Sequence, residues 1–465
     1  MILPHSRVMS GSAGSLPSRS WKQEKIMWND YVQRFSKESA DLVAGLAALI
    51  VQNSLKKLPA PPTKGDEAIL KIRSREKLIF LIMVLVSSLG QLTSDLYLPS
   101  LPAIAMDLHS NNHAAQLTLS IYMFGFAITQ LLYGPLSDAV GRRKPLLIGL
   151  MIGLIGGVMC FFAHDIQALM IGRLIQGLGA GATLSLPAAI LRDIFEGKNL
   201  AKYSSYAALI GAGVLAMGPL LGGYLQEYSG WRADFFLMMV YSLIALIAVF
   251  WLVPETNTHK HPENLRPSII KQNLGTLFVS PVFIGYCACS LFAYGAILAW
   301  LTSGPIVLQS VVGLSPVSFG WLYILTGIAF SLGAFSNGKA VSAIGIERML
   351  RFGLMIILLA GVLMAGFKFL DYVNAFVIML PVLLVMFGAS WVFPNASAGI
   401  FQPFPKIAGT AAAIFYSARV LAGSVFSGMV ALMPNHSQLP MAFAFMLSAL
   451  LALGVFYFTV GRCQK

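Results

Sequence analysis

Gly134-Pro-Leu-Ser-Asp138-Ala-Val-Gly141-Arg142-Arg143-Lys144-Pro145 separates two apolar runs, at about residues 115–133 and 145–163. Each run is close to the ~20 residues that a helix needs to cross the hydrocarbon of a bilayer. Gly134 and Gly141 permit a tight turn between two spans. Asp138 and Arg142, four apart, can pair and cap helix ends, and Arg142, Arg143 and Lys144 mark a water-facing side. The pattern extends outward along the chain. Of the 465 residues 57% are hydrophobic, enough for twelve spans of about 21 residues. Only 11% are charged, against about 25% in a soluble domain, which rules out a soluble enzyme. Four cysteines cannot staple a chain of this length, so a disulfide scaffold is excluded too.

Apolar runs fall at about 78–104, 115–133, 145–163, 166–190, 203–225 and 234–253. After a polar connector they resume at about 282–303, 316–336, 349–367, 373–393, 407–431 and 439–460. The expected fold is an all-α membrane protein of twelve transmembrane helices in two six-helix bundles, 77–253 and 282–465, joined by a cytoplasmic connector at 254–281. Residues 1–76 form an N-terminal extension. Within it Trp28, Val32, Phe35, Leu42, Leu46, Leu49 and Asn53 keep helical spacing, as in an interfacial amphipathic helix; a plain solvated extension is the other reading. The first twenty residues lack the apolar core of a signal peptide.

The net charge of +13 is of the size seen in nucleic-acid binders, but its placement follows the membrane. Of the 32 basic residues, 28 fall in the N-terminal tail, the loops after even-numbered spans and the C-terminus. Arg232 and Lys368 fall on the other side, and Arg173 and Arg419 lie inside spans. Both termini are therefore expected in the cytoplasm. Gly134, Gly141 and Gly149 recur as Gly338, Gly345 and Gly353, each 204 residues on. This is the mark of parallel six-helix repeats and of alternating access.

The 134–145 stretch resembles the loop signature of the major facilitator superfamily, with Ser342 standing in the second copy where Asp138 stands in the first. Arg173-Leu-Ile-Gln176-Gly-Leu-Gly179-Ala-Gly181 resembles that superfamily's helix-4 signature. Gly211, Gly218-Pro219 and Gly222-Gly223 in span 5 resemble the signature that marks its antiporters; small residues let helices approach closely, and Pro219 bends the span. Asp95-Leu-Tyr-Leu-Pro99-Ser-Leu-Pro102, Gly230-Trp231-Arg232, Pro254-Glu255-Thr256 and Phe393-Pro394-Asn395 resemble the Bcr/CflA drug-resistance transporters. The resemblance covers about residues 75–460. It implies proton-coupled efflux of drugs or small metabolites across the bacterial inner membrane by a monomer, with no cofactor beyond the proton gradient. Gly134, Asp138, Gly141, Arg142, Arg143 and the span-5 glycines and proline would serve conformational gating.

An ionisable residue inside a span is a functional candidate, because burying it costs several kcal/mol unless it is partnered or wet. Asp95, Arg173 and Arg419 are three such residues. At 1.5 Å per residue Asp95 lies about 16 Å from the outer end of span 1, and Arg173 about 14 Å below His164. Ser88, Gln91 and Asp95 share one face of span 1. Asp95 and Arg173 are read either as the proton-coupling site or as a fixed ion pair joining spans 1 and 4. Gln91, Tyr122, Phe126, Gln176, Tyr294, Trp391 and Arg419 are the expected liners of a substrate cavity, where Arg419 would disfavour cations and favour neutral or anionic substrates. All seven histidines are placed in the tail or in loops, and the spacing of Cys287 and Cys289 fits neither a zinc nor a redox motif, so no metal is expected. With no phosphate-binding glycine loop, ATP is not the direct driver. The alternatives are a dedicated metabolite or siderophore exporter, a proton symporter that imports, and a polytopic membrane enzyme.

Overall fold

The computed structural model describes residues 66–257, 274–404, 408–434 and 437–463. The chain divides into two units, 1–74 and 75–465. Of the first, only residues 66–74 are described, and they are helical. The amphipathic stretch from Trp28 to Asn53 and the central part of the connector lie outside the described residues.

Twelve helices among the described residues are long and apolar enough to cross a membrane. They are α1 (Arg75–Asp107), α2 (Asn112–Val140), α3 (Arg143–Phe161), α4 (Ile166–Ile194), α5 (Gly197–Ser229), α6 (Arg232–Leu252), α7 (Pro281–Val311), α8 (Pro316–Ile344), α9 (Ile346–Phe369), α10 (Ala375–Phe401), α11 (Ala411–Ala431) and α12 (Leu439–Val460). The even-numbered helices α2, α4, α8 and α10 open on side-chain caps, Asn111, Asp165, Ser315 and Asn374, each accepting a backbone N–H three residues on. Asn111 and Ser315 stand 204 residues apart, so the repeat seen in the glycines also governs where these helices start.

The glycines themselves divide their work differently from the sequence expectation. Gly134 and Pro135 lie inside α2, which continues to Val140, so the turn falls on Gly141 alone, at φ +104°. Gly345 repeats that turn at φ +91°. Gly149 and Gly353 are contact points instead. A Cβ on Gly149 would meet Ala182 Cβ at 2.3 Å, and one on Gly353 would meet the Gly388 carbonyl at 2.6 Å, which is the same α3–α4 contact repeated between α9 and α10.

Helix α1 breaks. Its first stretch ends at Asp95, a 3-10 turn follows at Leu98–Ser100, and a short helix runs over Leu101–Asp107. Pro99 and Pro102 account for this, since each lacks an N–H and disfavours helical backbone in the residue before it. Helix α5 covers the break. A Cβ on Gly222 would lie 1.6 Å from the Leu96 carbonyl oxygen, and one on Gly218 would lie 3.2 Å from Leu92 Cδ1.

The halves meet along two seams, α2 against α11 and α5 against α8. At the end that carries Asn111 and Ala431, the first seam is polar. Gln116 Nε2 donates to the Thr302 carbonyl (3.0 Å), Ser120 and Ser427 share a hydrogen bond (2.6 Å), and so do Thr302 and Ser427 (2.7 Å). His113 Nδ1 meets the Ala431 carbonyl at 2.7 Å, so this histidine sits on α2 in the seam rather than in a loop. In the second seam, backbones touch: Cβ atoms on Gly223 and Gly320 would lie 2.5 Å from the Pro316 carbonyl oxygen and 2.6 Å from Leu220 Cα. At the opposite end, where Arg142 lies, Cβ atoms on Gly134, Gly211 and Gly338 would meet nothing within 4 Å. There α5 is exposed or half-exposed from Lys202 to Gly211. The halves are closed at one end and parted at the other.

Gly222→Ala is expected to lower the melting temperature of the purified protein by several degrees or abolish folded yield, as overpacking costs about 1–3 kcal/mol or more. Gly211→Ala, in open space, is expected to match wild type in the same melting assay.

Candidate functional site

Asp95 ends the long stretch of α1 and is 3% exposed. Its Oδ1 accepts a hydrogen bond from Ser94 Oγ (2.6 Å) and its Oδ2 one from the Tyr323 hydroxyl (3.1 Å), which reaches it from α8 in the other half.

Arg173 is fully buried on α4. Its guanidinium lies between the rings of Tyr97 and Tyr122, 4.2 Å from each centroid, and Nη1 donates to the Thr93 carbonyl (3.1 Å) and to Gln176 Oε1 (2.7 Å). Stacking on two π faces is a favourable setting for a desolvated guanidinium. No ion pair joins Arg173 to Asp95: the arginine holds the α1 backbone two residues before the carboxyl. Tyr122 is anchored in turn, its hydroxyl donating to the Gly90 carbonyl at 2.5 Å.

This arrangement places several expected cavity liners inside the first half. Tyr122, Phe126 and Gln176 are buried among α1, α2 and α4, where they wall in Arg173, and Gln91 is half-buried on α1. Trp391 is half-buried on α10, with its indole N–H directed to Gly333 O and Ser336 Oγ of α8. The structure brings Tyr294 and Arg419 together: the Arg419 guanidinium carbon is 5.1 Å from the Tyr294 ring, 5.0 Å from Phe393 and 5.1 Å from Tyr416. Its Nε has no hydrogen-bond partner.

At the parted end Arg142 binds the first half together. Its Nε donates to Asp193 Oδ2 (3.1 Å) of α4, and Nη1 donates to Ser137 Oγ (2.8 Å) and pairs with Asp138, both of α2. Burial works against its charge, but Asp193 and Asp138 more than offset this and hold its pKa above the ordinary value. Glu255, after α6, caps α3 by accepting the N–H groups of Arg142 (2.7 Å) and Arg143 (3.2 Å). Arg143 Nη2 reaches back to the Phe250 carbonyl (2.5 Å).

Two groups escaped the sequence reading. Tyr323 carries no charge and follows no motif, so only the fold reveals it. Asp234, in the first turn of α6, was read as a span boundary. It is 0% exposed, a further buried acid that accepts from Ser100 Oγ and leaves Oδ1 unpartnered. The signal available for it was an acid two residues after the Trp231-Arg232 pair.

Arg173→Lys is expected to lower the melting temperature by several degrees, because an ammonium cannot lie flat between two rings or donate as a planar fork; about 1–2 kcal/mol is at stake. Differential scanning fluorimetry of the detergent-solubilised protein measures it.

Residues 81–427 match the model of the Major Facilitator Superfamily. A bicyclomycin resistance protein homolog of Haemophilus influenzae is 28% identical over 394 residues, 84% of this chain and 99% of that protein. An uncharacterized MFS-type transporter of Bacillus subtilis is 30% identical over 362 residues, 77% of this chain and 89% of that protein. Multidrug resistance protein D of Escherichia coli is 28% identical over 369 residues, 79% of this chain and 91% of that protein. With twelve spans, a repeated helix-packing pattern and two halves parted at one end, the chain belongs to the major facilitator superfamily and is a membrane transporter of small molecules, not an enzyme.

Proposed function

We propose that the protein exports lipophilic neutral or anionic small molecules in exchange for protons across the bacterial inner membrane. Residues 77–253 and 282–465 are the two rocking bodies, and the Arg142 cluster and the α5 glycines are the gating elements. The distribution of basic residues supports cytoplasmic termini and connector, which makes the parted end cytoplasmic and this conformation inward-open. The observation that carries the reading is Asp95: a carboxyl buried between the halves, hydrogen-bonded by two hydroxyls and in no ion pair. Such a group can take a proton when opened to one side and lose it when opened to the other, which is the requirement for coupling. The names of the Haemophilus and Escherichia relatives, which refer to bicyclomycin and to multidrug resistance, support drugs as the substrate class.

Arg419 supports the preference for neutral or anionic substrates. Its guanidinium is caged by three aromatic rings and forms no ion pair with any described acid. A cationic drug would meet like charge there, and an anionic or strongly dipolar one would find a donor.

Export against import is decided by accumulation: cells expressing an exporter retain less substrate than controls, and cells expressing an importer retain more. In proteoliposomes, drug addition should release protons from wild type. Asp95→Asn should insert normally yet abolish both proton release and uncoupler-sensitive efflux, and drug efflux of wild-type size that an uncoupler still collapses would refute the coupling role. Arg419→Gln should raise resistance to lipophilic cations by severalfold in a susceptibility panel; an unchanged profile with normal activity refutes its role in charge selection.

A further inference from the structure

Resting on that reading, we infer that Tyr323 is the latch that keeps the empty, deprotonated carrier from turning outward. The Tyr323 hydroxyl, from α8, makes a direct side-chain contact between the second half and the coupling carboxyl of the first, donating to Asp95 Oδ2 at 3.1 Å. The tyrosine is 7% exposed and held on its own half by the ring of Phe319 (6.3 Å), which in turn lies 6.0 Å from the ring of Trp300. Opening the closed end must pull this ring away from α1. The cost of that separation depends on the charge at Asp95. A hydroxyl bound to a carboxylate is held about twice as strongly as one bound to a neutral acid.

An exchanger fails if it turns without cargo. If the deprotonated carrier turned outward empty, took a proton there and returned, it would pass protons and export nothing. Tyr323 opposes that step: with Asp95 charged and no substrate, its hydrogen bond holds the outer end shut. Protonation of Asp95 weakens the bond, and in the loaded carrier substrate contacts in the cavity offset its loss.

The other groups around Asp95 leave this task to Tyr323. The charged or titratable groups acting on it are Arg173 of α4, Tyr122 of α2, Tyr294 of α7 and Tyr323 of α8. Arg173 and Tyr122 belong to the same half as Asp95 and travel with it, while Tyr294 makes no hydrogen bond to it. Helix α5 meets α1 there with Gly218 and Gly222.

The test is the proton leak of proteoliposomes without drug. Tyr323→Phe, which keeps the ring and its packing, should raise the substrate-free leak by about tenfold, the scale of one hydrogen bond to a charged group, and lower the drug exported per proton. Asp95→Asn and the double variant should show no such leak. A leak that stays at the wild-type level in Tyr323→Phe, or one that persists in the double variant, overturns the latch. A second measurement does not depend on the tyrosine variant. Spin labels at Met106→Cys and Leu432→Cys, both 72% exposed near the closed end, should report more closed protein at high pH in wild type and no pH dependence in Asp95→Asn. A pH-dependent closure that survives in Asp95→Asn overturns the latch as well. The broader antiport reading fails on a different result, wild-type pH-dependent and uncoupler-sensitive efflux by Asp95→Asn.

Discussion

Breaking a helix inside hydrocarbon frees carbonyl oxygens that no water is there to satisfy, and in α1 that requirement organises the site. Around the break, Thr93 O accepts from Arg173 and Pro99 O from Gln309 of the other half, while Tyr122 anchors one turn earlier on Gly90 O. Leu96 O is covered by the bare backbone of Gly222. Each of these groups has a second task. Tyr122 stacks on Arg173, the arginine fixes the turn that ends in Asp95, and Gly222 brings α5 close enough to carry its neighbour Gly223 against α8. The unwound turn, the buried cation and the glycine-rich helix are parts of one solution to one shortage of hydrogen-bond partners.

The two halves share a scaffold and differ in charge. The Gly141 and Gly345 turns, the Asn111 and Ser315 caps, and the Gly149 and Gly353 contacts reproduce one another across the offset of 204. Where the first half carries the Arg142–Asp138–Asp193 cluster, the second has Ser342 in place of the acid. Where the first buries Arg173 between tyrosines, Val377 stands 204 residues on. The second half holds α8 to α10 with an amide pair, Asn337 and Asn395, at 2.7 Å. Its aromatic-caged cation, Arg419, is matched by Leu215 at the corresponding position of the first half's sequence. Packing geometry is thus duplicated, while the charges are not: the first half buries Asp95, Asp234 and Arg173, and the second holds Arg419 among aromatic rings.

Much of this was legible before any coordinates. Hydropathy located all twelve spans, because burial in lipid leaves no other composition open to a helix. The helices run further than the apolar runs, as α2 does through Gly134 to Val140, because polar residues at the membrane edge still satisfy their backbones by staying helical. Asp95, Arg173 and Arg419 stood out because charge in an apolar run is conspicuous. Their relation did not: residue spacing gives depth along a helix but not the rotation that turns Arg173 toward Thr93 O rather than toward the carboxyl. Tyr323 was hidden for the converse reason, since a tyrosine in a span is ordinary and its meaning comes from the helix facing it. Tyr122 and Phe126 were read as cavity liners because aromatic side chains look alike in a sequence whether they face a cavity or a neighbouring helix.

The hydroxyl seam formed by Ser120, Ser427 and Thr302 bears on how fast the protein can work. Thr302 also donates to the Leu298 carbonyl one turn back (2.7 Å), a fallback open to serine and threonine in any helix. When the seam parts, such hydroxyls can turn to their own backbones, so separation strands few polar groups in lipid. Interhelical hydrogen bonds in membranes are worth only about 0.6 kcal/mol each on average. A seam of this kind aligns the helices in register without fastening them, so it adds little to the barrier to turning.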